Sequence, residues 1–220
     1  CNTKSGRKDE GADAAVIKTQ VSQTLHTMFQ ASYQITEGSK ELATAKISEN
    51  RMGASIDYYK GRECFYRLRY DKEQGGRHYW ILDDWDEPCG RFFLTQKKGK
   101  LFKPGYVYIR GSLRGREYNI YHVGFGKEGN YYCIYERSDQ EEEQVALIEK
   151  TLTVTDFKDT YDCYGKREED MDLLHLLCLY IDVWTSRDTA KAAVKSKEIT
   201  YEVTHHKELK EKYDPSFLKS

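Results

Sequence analysis

Residues Asp170 to Trp184 read DMDLLHLLCLYIDVW, and the fold turns on how they are read. At about 100° per residue, the apolar side chains from Leu173 to Ile181 cover the whole circumference of a helix, interrupted only by His175. A helix with no wet face is buried in a protein core or in a bilayer. Length excludes the bilayer. A span needs roughly 20 mostly apolar residues, and this run is bounded by Asp172 and Asp182, with Glu168, Glu169 and Asp170 just before it. Those acids favour a helix start, where the macrodipole is positive. Asp182 lies near the unfavourable end and calls for a partner. The 220 residues allow one domain of generous size with a real core.

The material to bury this helix is strand. MFQASYQI places Phe29, Ala31, Tyr33 and Ile35 on one side. Similar alternation or β-rich composition recurs in ELATAKI, CFYRLRY, RHYWIL, GRFFLT, YVYIR, EYNIYHV, YYCIY, QVALIEK and DTYDCY. Turn sequences such as EQGG, KKGK, RGSLRGR and GKEGN separate them. The 18 tyrosines suit a pleated, half-buried surface, because each carries an apolar ring and a polar tip. A closed barrel has no open edge, and one wide enough to hold more than its own side chains can hold a helix. The expected fold is therefore mainly β, a closed antiparallel barrel of about twelve strands around a central, fully buried C-terminal α-helix.

That pattern resembles the tubby C-terminal-like superfamily, which includes the phospholipid scramblases and the LURP-one-related proteins. The residues that carry the resemblance are the tandem strand, turn, strand units, the segment YHVGFGKEGNYYCIYERSDQEEEQVALIEK, then DTYDCYG and DMDLLHLLCLYIDVW, within residues 28–184. It is closest to small bacterial members. The resemblance implies about a dozen strands closed around a hydrophobic helix, and binding of anionic lipid as a class property that transfers no particular residue. Here the chain runs 36 residues beyond Trp184, past the usual end of that domain. The expected division is a polar linker or tether over 1–27, the barrel with its helix over 28–184, and a charged, partly helical, solvated extension over 185–220.

The chain begins CNTKSGRKDEGADAA, a cysteine followed by a polar tether. Mature bacterial lipoproteins begin this way, so Cys1 is a candidate lipid-attachment residue, and the expected location is extracytoplasmic and lipid-anchored at a bacterial membrane. Cys64, Cys89, Cys133, Cys163 and Cys178 favour the alternative, a reducing cytoplasm. They read as small buried hydrophobes, since no CxxC or Cys/His ligand spacing occurs.

Motifs of catalysis do not accumulate. GFGKEG, residues 124–129, matches G-x-G-x-x-G, but a strand follows it where a dinucleotide site needs a helix, so it reads as a hairpin turn. His175 and Cys178 lie three residues apart on the buried helix and read first as core residues, with nucleophile and base as the lesser reading. Asp83, Asp84 and Asp86 in ILDDWDEP read as a turn, with a cation loop as the alternative. His205 and His206 read as surface residues. No catalytic residue, metal ligand or cofactor is assigned.

One charge feature stands out. From Pro88 to Arg116 there are eight basic residues and no acid, in a chain of net charge −1. Lys97, Lys98, Lys100 and Lys103 crowd a turn with Leu101 and Phe102, a combination suited to anionic headgroups at an interface, with Arg110, Arg114 and Arg116 as neighbours. The alternative is a solvated loop whose lysines protect a strand edge. The function expected is a noncatalytic membrane-surface binding or scaffold domain for anionic lipid or cell-wall polymer. The alternatives are a protein-interaction module using the charged extension, and an enzyme of unrecognised type. Neither a nucleic-acid partner nor a transmembrane helix is expected.

Overall fold

The computed structural model describes residues 16–27, 29–50, 53–74, 77–99, 104–139, 141–151, 158–189 and 203–219. Its strands are β1 (Ile17–His26), β2 (Gln30–Glu37), β3 (Lys40–Asn50), β4 (Gly53–Lys60), β5 (Glu63–Tyr70), β6 (Tyr79–Leu82), β7 (Pro88–Lys97), β8 (Tyr106–Leu113), β9 (Arg116–Gly124), β10 (Asn130–Arg137), β11 (Glu142–Lys150) and β12 (Thr160–Gly165). Each pairs antiparallel with its neighbours in sequence. β1 pairs with β12, from Ile17 opposite Gly165 to Ser22 opposite Thr160, and closes a twelve-stranded barrel. The helix α1 (Met171–Thr189) follows β12 directly, and every residue from Leu173 to Val183 is buried. No helix among the described residues is long and apolar enough to cross a membrane.

The wall faces the helix with alternate side chains. Tyr33 and Ile35 of β2, Ile56 and Tyr58 of β4, Leu68 of β5, Phe92 of β7, Ile120 of β9, Ile148 of β11 and Tyr161 of β12 form one buried cluster with the helix leucines. Ala31, Ala43, Ala45 and Ala54 line the wall at β2 to β4, where small side chains leave room for the helix beside the large tyrosines. The chain enters α1 from β12 so tightly that a side chain at Gly165 would meet the Met171 sulfur at 2.7 Å.

Two boundaries differ from expectation. The stretch expected to be linker contains β1, so the barrel begins at Ile17 and not at residue 28. Its inward positions are Thr19, Val21 and Gln23, only one of them apolar, which hides the period. The inward polar groups have partners: Thr19 Oγ1 lies 2.8 Å from His175 Nε2, and Gln23 donates to the Tyr33 hydroxyl at 3.1 Å. The second difference is the extension. Residues 203–219 pack against the barrel's outer wall, burying Leu209 and Phe217. Thr204 donates its backbone N–H to the Gly124 carbonyl and accepts from the Gly124 N–H, 2.8 and 2.9 Å. The segment contains the short helix α2 (Lys207–Lys210). It is charged and partly helical, as expected, but it is not a solvated appendage.

The barrel and its helix form one cooperative core. Leu177→Asp places an unpaired carboxylate in that core, at a cost of several kcal/mol against a total stability of about 5–15 kcal/mol. The variant should yield no soluble protein with a cooperative urea transition; a parent-like transition would show that the helix is not the core.

Candidate functional site

The helix carries three acids and a histidine into or beside the core, and the wall supplies a partner for each. Tyr33 and Tyr161 both donate to the Asp182 carboxylate, Tyr161 at 3.0 Å. Burial, then Asp182, raises both phenols well above their ordinary range, so they remain donors. Tyr58 donates to Asp172 at 3.2 Å and lies 3.1 Å from His175 Nδ1. With the Tyr58 hydroxyl donating to Asp172, every group is satisfied when Nδ1–H donates to the Tyr58 oxygen and Nε2 accepts from Thr19. His175 is thus a neutral, doubly hydrogen-bonded core residue. Cys178 instead faces Cys163, with the two sulfurs 3.5 Å apart, and burial pushes the Cys178 thiol well up. The histidine and cysteine do not form a nucleophile and base.

At the start of the helix, Asp170 is fully buried. It accepts from Arg116 at 2.9 Å, Arg167 at 2.8 Å and the Tyr118 hydroxyl at 3.1 Å. Arg116 also forks onto Glu136 at 2.6 and 2.8 Å, and Arg167 reaches the same carboxylate at 2.8 Å. The Arg116 guanidinium holds the Glu136 carboxyl down to about 2. Two guanidiniums and two carboxylates thus alternate around the base of the helix and tie it to β9 and β10. A buried carboxylate is tolerated only when paired and hydrogen-bonded, so the position of Arg116 is structural.

The described cations of the basic segment do not converge on one place. Lys97 and Arg114 lie at opposite ends of β8, whose seven steps of about 3.4 Å separate them by roughly 24 Å. Arg110 pairs with Glu117 at 3.1 Å and lies over the Phe93 ring. Arg114 lies over Phe65 and Tyr66 in the β8–β9 turn. Lys97 pairs with Glu208 at 2.9 Å and Lys98 is exposed. Lys100, Lys103 and Cys1, with Leu101 and Phe102, lie outside the described residues. Other motifs settle as turns. Residues 126–128 form a 3-10 turn between β9 and β10, with Gly126 at φ 65°. Asp83 accepts from the backbone of Trp85 and Glu87, both 2.9 Å, closing its own loop. Among the described residues, no group of three metal-ligating side chains is placed to hold an ion.

The feature that stands out in space is a cleft. About 620 Å³ lies between the outer face of β8 to β11 and the docked C-terminal segment. Tyr106 and Tyr108 of β8, Tyr121 of β9 and Tyr135 of β10 line its wall. Tyr108 and Tyr121 stack at 5.3 Å and 27°, and Tyr121 meets Tyr135 edge-on at 5.6 Å. Glu142 of β11 accepts from the Asn119 amide, from Tyr121 at 3.0 Å and from Lys212 at 2.8 Å. Burial works to raise the Glu142 carboxyl, but Lys212 and Asn119 outweigh it and hold the group below its usual range. Lys212 sits 4.6 and 4.7 Å from the ring centres of Tyr121 and Tyr135, and its carbonyl accepts from Tyr135. Lys97 sits 5.3 Å from the ring centre of Tyr106.

Sequence reasoning missed this cleft because its two walls are some 70 residues or more apart: Glu142 and Lys212 meet at |i−j| 70, and Lys97 and Glu208 at 111. A signal was present. β9 and β11 are apolar or aromatic on both faces, in EYNIYHV and QVALIEK, and a strand of that kind has its outer face covered. The chain matches no protein-family model, no curated protein and no solved structure.

His175 makes the buried network visible in solution. Burial is the main cause that lowers it to about 4; Asp172 opposes this and Lys60 adds to it. An unfolded histidine takes its proton near pH 6.5. Below that pH the unfolded chain therefore binds more protons than the folded one, and stability falls until the folded group also titrates. The loss should reach about 3 kcal/mol between roughly pH 6.5 and pH 4. Urea unfolding across this window should show a steeper fall for the parent than for His175→Gln, whatever the variant's absolute stability. Equal slopes would show that His175 ionises as freely folded as unfolded.

Proposed function

We propose that this protein is a noncatalytic binding domain whose ligand lies in the tyrosine-walled cleft between the barrel and the C-terminal segment. The observation that carries the reading is the cleft itself: about 620 Å³, four tyrosines on one wall, and Glu208, Glu211 and Lys212 on the other. Binding sites are concave and largely preformed, with aromatic walls and a few placed polar groups. The wall here is held by the barrel and the lid by Leu209, Tyr213 and Phe217, which pack on β9 to β12. The buried histidine and cysteine of the helix are occupied in the core: His175 by Thr19 and Tyr58, Cys178 by Cys163.

Membership of the tubby C-terminal-like superfamily is part of this proposal, supported by the closed barrel around an apolar helix. Headgroup binding by the basic segment has less support, since Arg110, Arg114 and Arg116 lie away from Lys97 and each is engaged within the protein. A surface polymer is the better ligand class, because four tyrosines line the cleft and its lysines are ion-paired within the protein.

Washed bacterial cell envelopes, which retain both wall polymer and lipid, test the reading by co-sedimentation. The parent should sediment with them. Tyr108→Ala should reduce retention about tenfold, as expected on removing a central aromatic contact, with an unchanged melting temperature. The triple variant Lys98→Glu, Lys100→Glu, Lys103→Glu should still bind. Loss of binding in the triple variant, with steep salt dependence in the parent, would favour the headgroup reading. Unaltered retention of Tyr108→Ala would overturn the cleft reading.

A further inference from the structure

The charges of the cleft narrow the ligand further. Its lining holds two cations, Lys97 and Lys212, and three acids, Glu142, Glu208 and Glu211. Neither cation is in excess: Lys97 is paired with Glu208 at 2.9 Å and Lys212 with Glu142 at 2.8 Å. An anionic ligand would have to displace a carboxylate from each ammonium and would still face Glu211. A simple cation would have to displace the ammonium groups already over Tyr106, Tyr121 and Tyr135. Both charged classes therefore compete with contacts the protein already makes. The ligand that competes with none of them is uncharged.

A second observation asks that ligand for hydrogen-bond donors. Asn119 is 5 % exposed, and its amide nitrogen donates to Glu142, while its Oδ1 is buried without a hydrogen-bond partner in the cleft wall. A buried acceptor left unmade costs the protein free energy, and a small turn of the Asn119 amide toward the cleft would present this sealed oxygen to a ligand hydroxyl. The stacked pair Tyr108 and Tyr121 supplies the complementary apolar surface. Aromatic faces are electron-rich, and the C–H bonds on the flat face of a sugar ring carry the matching partial positive charge, while the ring's edge carries hydroxyls.

We propose that the cleft binds a neutral saccharide, with a sugar ring against Tyr108 and a hydroxyl donating to Asn119 Oδ1. The inference rests on the cleft being the binding site and deepens that reading by naming the ligand class. No bond is made or broken.

Cellohexaose, maltohexaose and fully N-acetylated chitohexaose are neutral probes of different linkage and substituent. With the full chain, titration calorimetry should detect binding of at least one. That binding should be insensitive to salt, since no counterion is released, and about tenfold weaker in Tyr108→Ala. Arg114→Ala, at the far end of the barrel, should bind as the parent does. If none of the three binds, or if binding is unaffected in Tyr108→Ala while that variant keeps its melting temperature, the saccharide assignment is overturned. If in that case envelope retention still depends on Tyr108 and dextran sulfate competes for it, the ligand is an anionic polymer and the cleft remains the site. If retention does not depend on Tyr108 either, both readings fall together.

Discussion

The structure depends on one constraint: a helix with no wet face must find, on the wall around it, a partner for every polar group it carries. α1 brings His175 and Asp182 into the barrel, and the buried Asp170 immediately precedes it. A lone buried carboxylate is too costly to keep ionised in apolar surroundings. The barrel answers with tyrosines, whose rings pack against leucines while their hydroxyls donate: Tyr33 and Tyr161 to Asp182, Tyr118 to Asp170, Tyr58 to Asp172. These pairings also set the helix's rotation and depth, because slipping it by a residue would leave carboxylates opposite apolar wall. The hydrophobic effect drives the helix inward without direction; the tyrosine hydroxyls and the Arg116 and Arg167 clamp give it direction.

That division explains what was legible in the sequence. The all-round apolar run from Leu173 to Ile181 and the count of short strands are local patterns, and they were sufficient for a closed barrel around a helix. β1 was not legible, because Thr19 and Gln23 stand where the period requires apolar residues. Their polarity makes sense only once His175 and Tyr33, 156 and 10 residues away, lie opposite them. A pattern based on hydrophobicity fails where the core itself is polar. The layout of the basic segment was illegible for a related reason. Lys97 and Arg114, 17 residues apart, are not close in space when a strand of roughly 24 Å divides them, and the acids that pair with Arg110, Arg116 and Lys97, namely Glu117, Glu136 and Glu208, belong to other strands or to the C-terminal segment.

The candidate site was the least legible part. Tyrosines read as staves of the barrel in fact serve two faces. Tyr33, Tyr58, Tyr118 and Tyr161 look inward at the helix, while Tyr106, Tyr108, Tyr121 and Tyr135 look outward. Alternation alone cannot say which set is which, since reversing the register of a strand exchanges its faces. What does distinguish β9 and β11 is that neither of their faces is wet, and a barrel with one helix inside needs only one dry face per strand. The surplus of apolar surface implied a second covering element, and the C-terminal segment is that element.

The cover is incomplete where its own charges hold it off the sheet. Leu209, Tyr213 and Phe217 pack down onto the wall, whereas Glu208 and Lys212 meet it through ion pairs with Lys97 and Glu142. Had the segment been apolar throughout, it would have closed over Tyr108 as α1 closes against Phe92, and no cleft would exist. The charged composition that made the extension look like a solvated tail thus supplies one side of the cleft. Its apolar residues fix it in place, and its charged residues keep the space open while neutralising one another.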